Sequence, residues 1–395
     1  MPSSDQYPRK PRVVQSVAGA FHHFDLARQL HAQGHLERIY SSFNWGRLKR
    51  EGLPRQLVST FPFLHPALML LGRFGVDLLS PAWRGWFLKN QLLFDRWVAG
   101  RIPPCDVVLA ISGCGLLTGA RVQQRGGRYV CDRGSSHIRF QDQILSEEYK
   151  LWGVVQDACD PRVIEREEAE YAQADAITVP SEFARRSFEL MGIPRNKVKK
   201  FPYGVDLSRF TAINEPPKDR FEVLFIGQVN LRKGVPYLIK AFETFAHPNK
   251  RLRIVGSVAN EIRPMLDRHL PDGVEILGAL PQSELPGIMS ASHVLVLPSI
   301  EEGLALVQGQ ALASGCPVIA STNTGGSDLF TDGVEGFEVP IRSAEAIADR
   351  LTQLADQPDL QKQMRAAGLE RVKSIGGWGD YGREYLAFLK ELTGA

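Results

Sequence analysis

The stretch from Pro298 to Ala320 reads PSIEEGLALVQGQALASGCPVIA, and its reading decides the fold. It follows a short apolar run, Val294-Leu295-Val296-Leu297, that predicts a buried strand ended by Pro298 and Ser299. A loop with two carboxylates and a glycine, Glu301-Glu302-Gly303, then leads into a helical pattern over Leu304 to Ala313. Gly315 stops that helix, and Pro317-Val318-Ile319-Ala320 predicts the next strand. The unit is therefore strand, loop, helix, strand. Its helix N-terminus offers free backbone N–H groups and a positive dipole end, which suit a phosphate. Glu302 and Gln310, eight residues apart, fall about 80° apart around such a helix and about 12 Å apart along it. That spacing suits the two ends of an elongated polar ligand, although the bare pattern also fits a solvated glutamate and a surface glutamine.

The same alternation extends in both directions. Val13-Val14 leads through Ala18-Gly19-Ala20 into a helix ended by Gly34, and strands follow at 106–111, 128–132, 176–181 and 197–203. Asn214 to Asp219 is a polar linker with two prolines. A second block opens at Phe221 and continues through strands at 252–256, 274–278, 294–297 and around 318. Strands alternating with helices predict parallel sheets covered on both faces, hence an α/β protein of two doubly wound, Rossmann-like domains. Residues 1–212 form the first domain and 213–376 the second, with a last helix over 377–395 returning to the first. Ligands are expected in a cleft at the strand C-terminal ends.

Composition narrows the function classes. The 395 residues are 44% hydrophobic and 23% charged, and a net charge of +3 gives no reason to expect a nucleic-acid partner. Cys105, Cys114, Cys131, Cys159 and Cys316 show no C-x-x-C pair, so neither zinc nor a disulfide frame is expected. The opening MPSSDQYPRKPRVVQ has no apolar signal core, and Phe61 to Leu79 is interrupted by His65, Pro66, Arg73 and Asp77. The expected location is cytoplasmic.

The loop Gly227-Gln228-Val229-Asn230-Leu231-Arg232-Lys233-Gly234 is neither G-x-G-x-x-G nor a P-loop, which excludes a Rossmann dehydrogenase and a P-loop NTPase. It places a guanidinium and an ammonium at a strand's C-terminal end, where they can neutralise a diphosphate. Gly325-Gly326 allows close backbone approach, and His137 follows a first-domain strand and could reach the cleft. No Asp-x-Asp occurs, which disfavours a transferase that grips diphosphate through Mg²⁺.

Together these segments resemble the retaining glycosyltransferases of family 4, which have the GT-B fold. The resemblance is carried by Leu26-Ala27-x-x-Leu30-x-x-x-Gly34-His35, Pro180-Ser181-Glu182-Phe183, Tyr203-Gly204-Val205-Asp206 and Arg232-Lys233-Gly234. It continues through Pro298-Ser299-x-x-Glu302-Gly303, Ala311-x-Ala313-x-Gly315-x-Pro317-Val318, Gly325-Gly326 and Asp332-Gly333-x-x-Gly336. It implies a UDP- or GDP-linked sugar donor, no cofactor and no metal. Glu302 would contact the donor sugar, Gln310 the ribose, and Lys233 and Arg232 the diphosphate. His137 would approach the sugar from the other domain. Gly227, Leu280 and the backbone of Gly303, Leu304, Ala305 and Leu306 would complete the donor side, with Gly19, Ser112 and Gly113 on the acceptor side. Three positions depart from the family pattern: Gln310 for a glutamate, Gln228 for an arginine and Tyr203 for an asparagine. Gln310 keeps an acceptor but loses charge, weakening its hydrogen bond by about 1 kcal/mol.

Residues 43–101 are the least family-like. Nine Lys or Arg stand against three acids from Arg47 to Arg101, interleaved with Phe61, Phe63, Leu64, Leu68, Met69, Leu70, Leu71, Trp83, Trp86 and Phe87. Such a segment can lie on an anionic membrane surface at its inner face, which suits a lipid-linked or polysaccharide acceptor. The competing functions are a catalytically impaired glycan-binding scaffold, suggested by Gln310 and Gln228, and a GT-B sugar-nucleotide epimerase.

Overall fold

The computed structural model describes residues 10–61, 81–155, 158–206 and 208–395, without the side chains of 81–84 and 87. Two parallel sheets organise the chain. The first orders β3 (Val58–Thr60), β2 (Leu36–Ser41), β1 (Val13–Val17), β4 (Val107–Ile111), β5 (Arg128–Asp132), β6 (Ala176–Val179) and β7 (Val198–Lys200). The second orders β10 (Val274–Gly278), β9 (Lys250–Val255), β8 (Phe221–Ile226), β11 (Val294–Leu297), β12 (Val318–Ser321) and β13 (Gly336–Val339). In each sheet the strand order reverses beside the domain's first strand, between β1 and β4 and between β8 and β11. Crevices open at such switch points beyond the strand C-termini.

The central strands β1, β6, β11 and β12 are buried on both faces, which is why they read as short apolar runs, whereas the edge strand β10 has no buried residue. Three strands escaped the sequence reading. In β2 the pair Glu37-Arg38 interrupts the apolar run, and β3 and β13 hold only three and four residues. The helix predicted from Leu304 begins instead at Val307 and ends at Ala313. Residues before it are pinned elsewhere: Ala305 N–H donates to Thr324 O at 3.1 Å, and the buried Gln308 amide donates to Ala305 O and Thr324 O at 3.2 Å each. Glu302 therefore lies in the loop, and the helical-wheel relation to Gln310 does not hold.

The helix Trp378–Thr393 buries Tyr385, Leu386 and Leu389 in a cluster with Val13, Phe24 and Val107 of the first domain. Glycine is required at 382, where a Cβ would lie 2.3 Å from Gln29 Cβ. The domains also touch directly. Arg342 Nε donates to Glu148 at 2.7 Å, and Glu182 N–H donates to Asp328 at 2.7 Å. A Cβ on Gly303 would lie 1.9 Å from Gly134 O, so backbone meets backbone at the cleft floor.

Candidate active site between the two sheets

The second-domain half is built from the loops after β8 and β11. Asn230 Oδ1 accepts from Lys233 N–H at 2.8 Å, forming a turn that sets the lysine. Gly234 follows at φ +67°, and a Cβ there would sit 2.0 Å from Pro298 O. Only glycine lets the two loops approach so closely. Ile300 N–H donates to Arg232 O at 2.8 Å, locking them together. The result is an ion pair between Lys233 Nζ and Glu302, with Arg232 3.8 Å from the other Glu302 oxygen. Glu302 is 8% exposed. Ala305 N–H is used within the protein, whereas those of Gly303, Leu304 and Leu306 have no partner among the described residues.

Gln228 accepts from Asn230 Nδ2 at 3.1 Å. Gln310 lies half-buried on the helix that starts at Val307, and Leu280 packs against the second-domain core.

Glu301 was missed as a functional residue. It is fully buried and joins the domains. Its Oε1 accepts from Ser135 Oγ at 2.6 Å, Ser136 Oγ at 2.7 Å and Ser136 N–H at 3.1 Å. Its Oε2 accepts from Gln141 Nε2 at 2.8 Å and Arg232 Nε at 3.0 Å. Burial alone would raise its pKa, but Arg232 and the serine donors outweigh it and hold the carboxyl at about 2. Arg133 fixes the receiving turn by donating to Ser136 O at 2.9 Å and to Gln141 at 2.7 Å. Arg232 thus divides its charge between Glu301 and Glu302. Arg232 stays protonated, because those carboxylates outweigh the opposing effect of burial.

On the first-domain side, Gly19 follows β1 and Ser112 and Gly113 follow β4, at the first sheet's switch point. Gly19 has φ +127° and its carbonyl accepts from Ser41 Oγ at 2.5 Å. Gly113 N–H is already used, donating to buried Glu170 at 2.6 Å, and Arg133 donates to Ser112 Oγ at 3.3 Å. Burial pushes the Glu170 carboxyl up to about 8.

His137 does not reach the cleft. It is 2% exposed, its ring packs 5.0 Å from Tyr171 and 4.9 Å from Phe188, and burial lowers its pKa to about 4. It ends a loop and accepts from Arg139 N–H at 3.2 Å, which turns the ring toward the domain interior.

A different histidine stands at the cleft. His22 Nε2 lies 2.8 Å from Asp132 Oδ2, and its ring centroid lies 4.3 Å from that of Tyr203, tilted by 31°. Asp132 also accepts from Thr178 Oγ1 at 2.6 Å. The signal in the sequence was His22-His23 at the exit of the β1 loop, just where a helix begins. His22, His23 and Asp132 place ligand-type atoms within 4.8 Å of one another. Two ligands of one tetrahedral zinc stand about 3.3 Å apart. The 2.8 Å contact between His22 and Asp132 is instead that of a pair holding a proton.

In the basic-aromatic segment, Arg47 stacks over Phe43 at 3.9 Å, Arg55 over Trp45 at 5.1 Å and Arg101 over Trp97 at 5.2 Å. Phe63, Leu64, Leu68, Met69, Leu70, Leu71 and the side chains of Trp83 and Phe87 lie outside the described residues. Among the described residues no helix is long and apolar enough to cross a membrane.

Two doubly wound domains facing each other across such a cleft define the GT-B class. Residues 19–209 match the family model described as Glycosyltransferase Family 4, and residues 208–371 match that of glycosyl transferases group 1. The chain belongs to this family of glycosyltransferases. It is similar to alpha-D-kanosaminyltransferase of Streptomyces kanamyceticus, 31% identical over 41% of this chain and 44% of that one. It is also similar to the putative colanic acid biosynthesis glycosyltransferase WcaL of Escherichia coli, 26% identical over 46% and 48%. The chain spans about half the length of these curated relatives. Among solved structures it superposes on sucrose-phosphate synthase of Thermosynechococcus elongatus with a TM-score of 0.71 at 19% identity, covering 97% and 99% of the two chains. Anabaena HepE in complex with UDP and glucose gives 0.68 at 15%, covering 96% and 100%. At these identities the likeness concerns the fold.

Proposed function

We propose that this protein transfers a sugar from a UDP- or GDP-linked donor to a glycan or lipid-linked acceptor, with retention of anomeric configuration, in polysaccharide, lipopolysaccharide or glycolipid synthesis. One observation carries the reading: Lys233 and Glu302 pair at the second domain's switch point, beside Arg232 and the amides of Gly303, Leu304 and Leu306, which have no partner among the described residues. Departure of the nucleoside diphosphate creates negative charge on its oxygens and positive character at the sugar. Lys233 and Arg232 meet the first, and Glu302 meets the sugar. Because Glu301 already holds much of Arg232, Lys233 is the main cation for the diphosphate. These fixed charges take the part that a divalent ion plays in Asp-x-Asp enzymes, so the transfer is proposed to be metal-independent. The relatives named for glycan assembly support the class of pathway, and the proposed place of action is the cytoplasmic face of a membrane.

A thermal-shift panel of UDP- and GDP-sugars tests this reading, since a bound donor raises the unfolding temperature by mass action. A shift is expected with one nucleotide series and its loss in Lys233→Ala. A flat response across the panel would remove the donor site. Proton NMR of the transferred sugar's anomeric signal reports retention.

A further inference from the structure

Arg232 is held in an unusual way. Its Nε donates to both Glu301 O and Glu301 Oε2, at 3.0 Å each. Its Nη2 lies 3.8 Å from Glu302, too long for a hydrogen bond. The N–H groups on Nη1 and Nη2 therefore have no hydrogen-bond partner among the described residues. An arginine commonly meets a carboxylate through two parallel bonds. Glu301 gives Arg232 a single side-chain bond, and its other partners explain why.

Oε1 of Glu301 is filled from the first domain by Ser135 Oγ, Ser136 Oγ and Ser136 N–H. Gln141 Nε2 shares Oε2 with Arg232. The carboxylate is fully buried, so its lone pairs must be met by such donors. The serine turn is fixed within its own domain. Arg133, paired with Glu167 at 2.9 Å, donates to Ser136 O and to Gln141 Oε1.

The serines and the guanidinium thus compete for one carboxylate. With the turn seated, Glu301 takes only Nε and leaves the planar fork of Arg232 open beside Glu302 and Lys233. With the turn withdrawn, Oε1 loses three donors, and the Arg232 fork is the cation at hand to replace them in a two-bond pair. Resting on the proposed glycosyl transfer, we infer that Glu301 is a positioning residue: when Ser135 and Ser136 close onto it, the Arg232 fork is released for the donor's diphosphate. Glu301 acts through Arg232 and touches no substrate. The grip of the second domain on its nucleotide is in this way conditional on the first.

Calorimetric titration of the full chain with UDP and GDP tests this as a double-mutant cycle. Ser135→Ala/Ser136→Ala should weaken binding of the nucleotide that the wild type takes by about tenfold, the worth of one charge-assisted contact. A neutral amide does not capture the fork, so in Glu301→Gln the same two substitutions should change affinity by less than about twofold. Arg232→Ala should silence them likewise. If the double serine variant fails to fold, Ser135→Ala alone should show the same pattern at a smaller factor. A purely structural role for the serines would lower urea stability without this coupling. Unchanged affinity on removing the serine hydroxyls, or an equal loss in all three backgrounds, overturns the inference and leaves the donor site standing. Binding of neither nucleotide by the wild type overturns the donor-site reading, and this inference with it.

Discussion

Glu301 of the second domain and Ser136 of the first share two hydrogen bonds across the cleft, 2.7 Å from the hydroxyl and 3.1 Å from the backbone N–H, with the carboxylate fully buried. The same carboxylate holds Arg232, so one side chain both joins the domains and fixes a cation of the loop after β8. Glu301→Ala would leave the serine turn without its acceptor and Arg232 with only the residue-301 backbone carbonyl and Glu302. Removing one partner from a buried ion pair costs about 3–5 kcal/mol. Urea unfolding should show that loss, and Glu301→Gln should recover part of it.

Acid should act on the same residue. Glu301 has a folded pKa of about 2 against 4.5 for the free group. As pH falls, the unfolded chain protonates first, so the stabilisation is complete above 4.5 and is lost toward 2. It amounts to about 3 kcal/mol. Stability of the wild type and Glu301→Gln, measured against pH, should converge over that window.

His23 adds an earlier step. Burial lowers its pKa from 6.5 to about 3, helped by neighbouring His22 and opposed by Asp132. Below 6.5 the unfolded chain takes up a proton that the folded ring refuses, so stability declines as pH falls through that window, by up to about 1.4 kcal/mol per unit. His23→Phe should flatten this slope between 6.5 and 4.5, before Glu301 begins to titrate.

Gly303→Ala tests the close approach of the domains. The added Cβ would fall 1.9 Å from Gly134 O, where neither backbone can yield without moving a domain. Overpacking of this kind costs about 1–3 kcal/mol. Small-angle scattering should show a more open particle, with reduced donor turnover.

Gln310→Glu restores the carboxylate of the family pattern. If this side chain meets the ribose, UDP or GDP affinity should rise by about 1 kcal/mol, close to fivefold, by calorimetry. Unchanged affinity would place the ribose elsewhere.

Much of this architecture was legible in the sequence. Apolar runs bounded by glycine and proline marked most of the strands, and the 227–234 loop could be placed at a strand's C-terminal end, where a cleft was expected. What escaped depended on partners far away in the chain. Leu304 to Leu306 have helical residue types, yet Thr324 and Gln308 hold them out of the helix. Glu301 and Glu302 are adjacent and chemically identical. Only the packed domains direct one to Ser136 and the other to Lys233. His137 and His22 both follow first-domain strands, and the choice between them rests on which ring Tyr171 and Phe188 enclose.

On the proposed function, Lys233 and Glu302 form the catalytic core of a nucleotide-sugar site. Release of UDP or GDP from the sugar nucleotide that gives the largest thermal shift measures it directly. The wild type should turn this donor over, and Glu302→Ala and Lys233→Ala should each reduce the rate by about 10²–10³-fold. Equal rates in all three proteins, or no release by any of them, would contradict it.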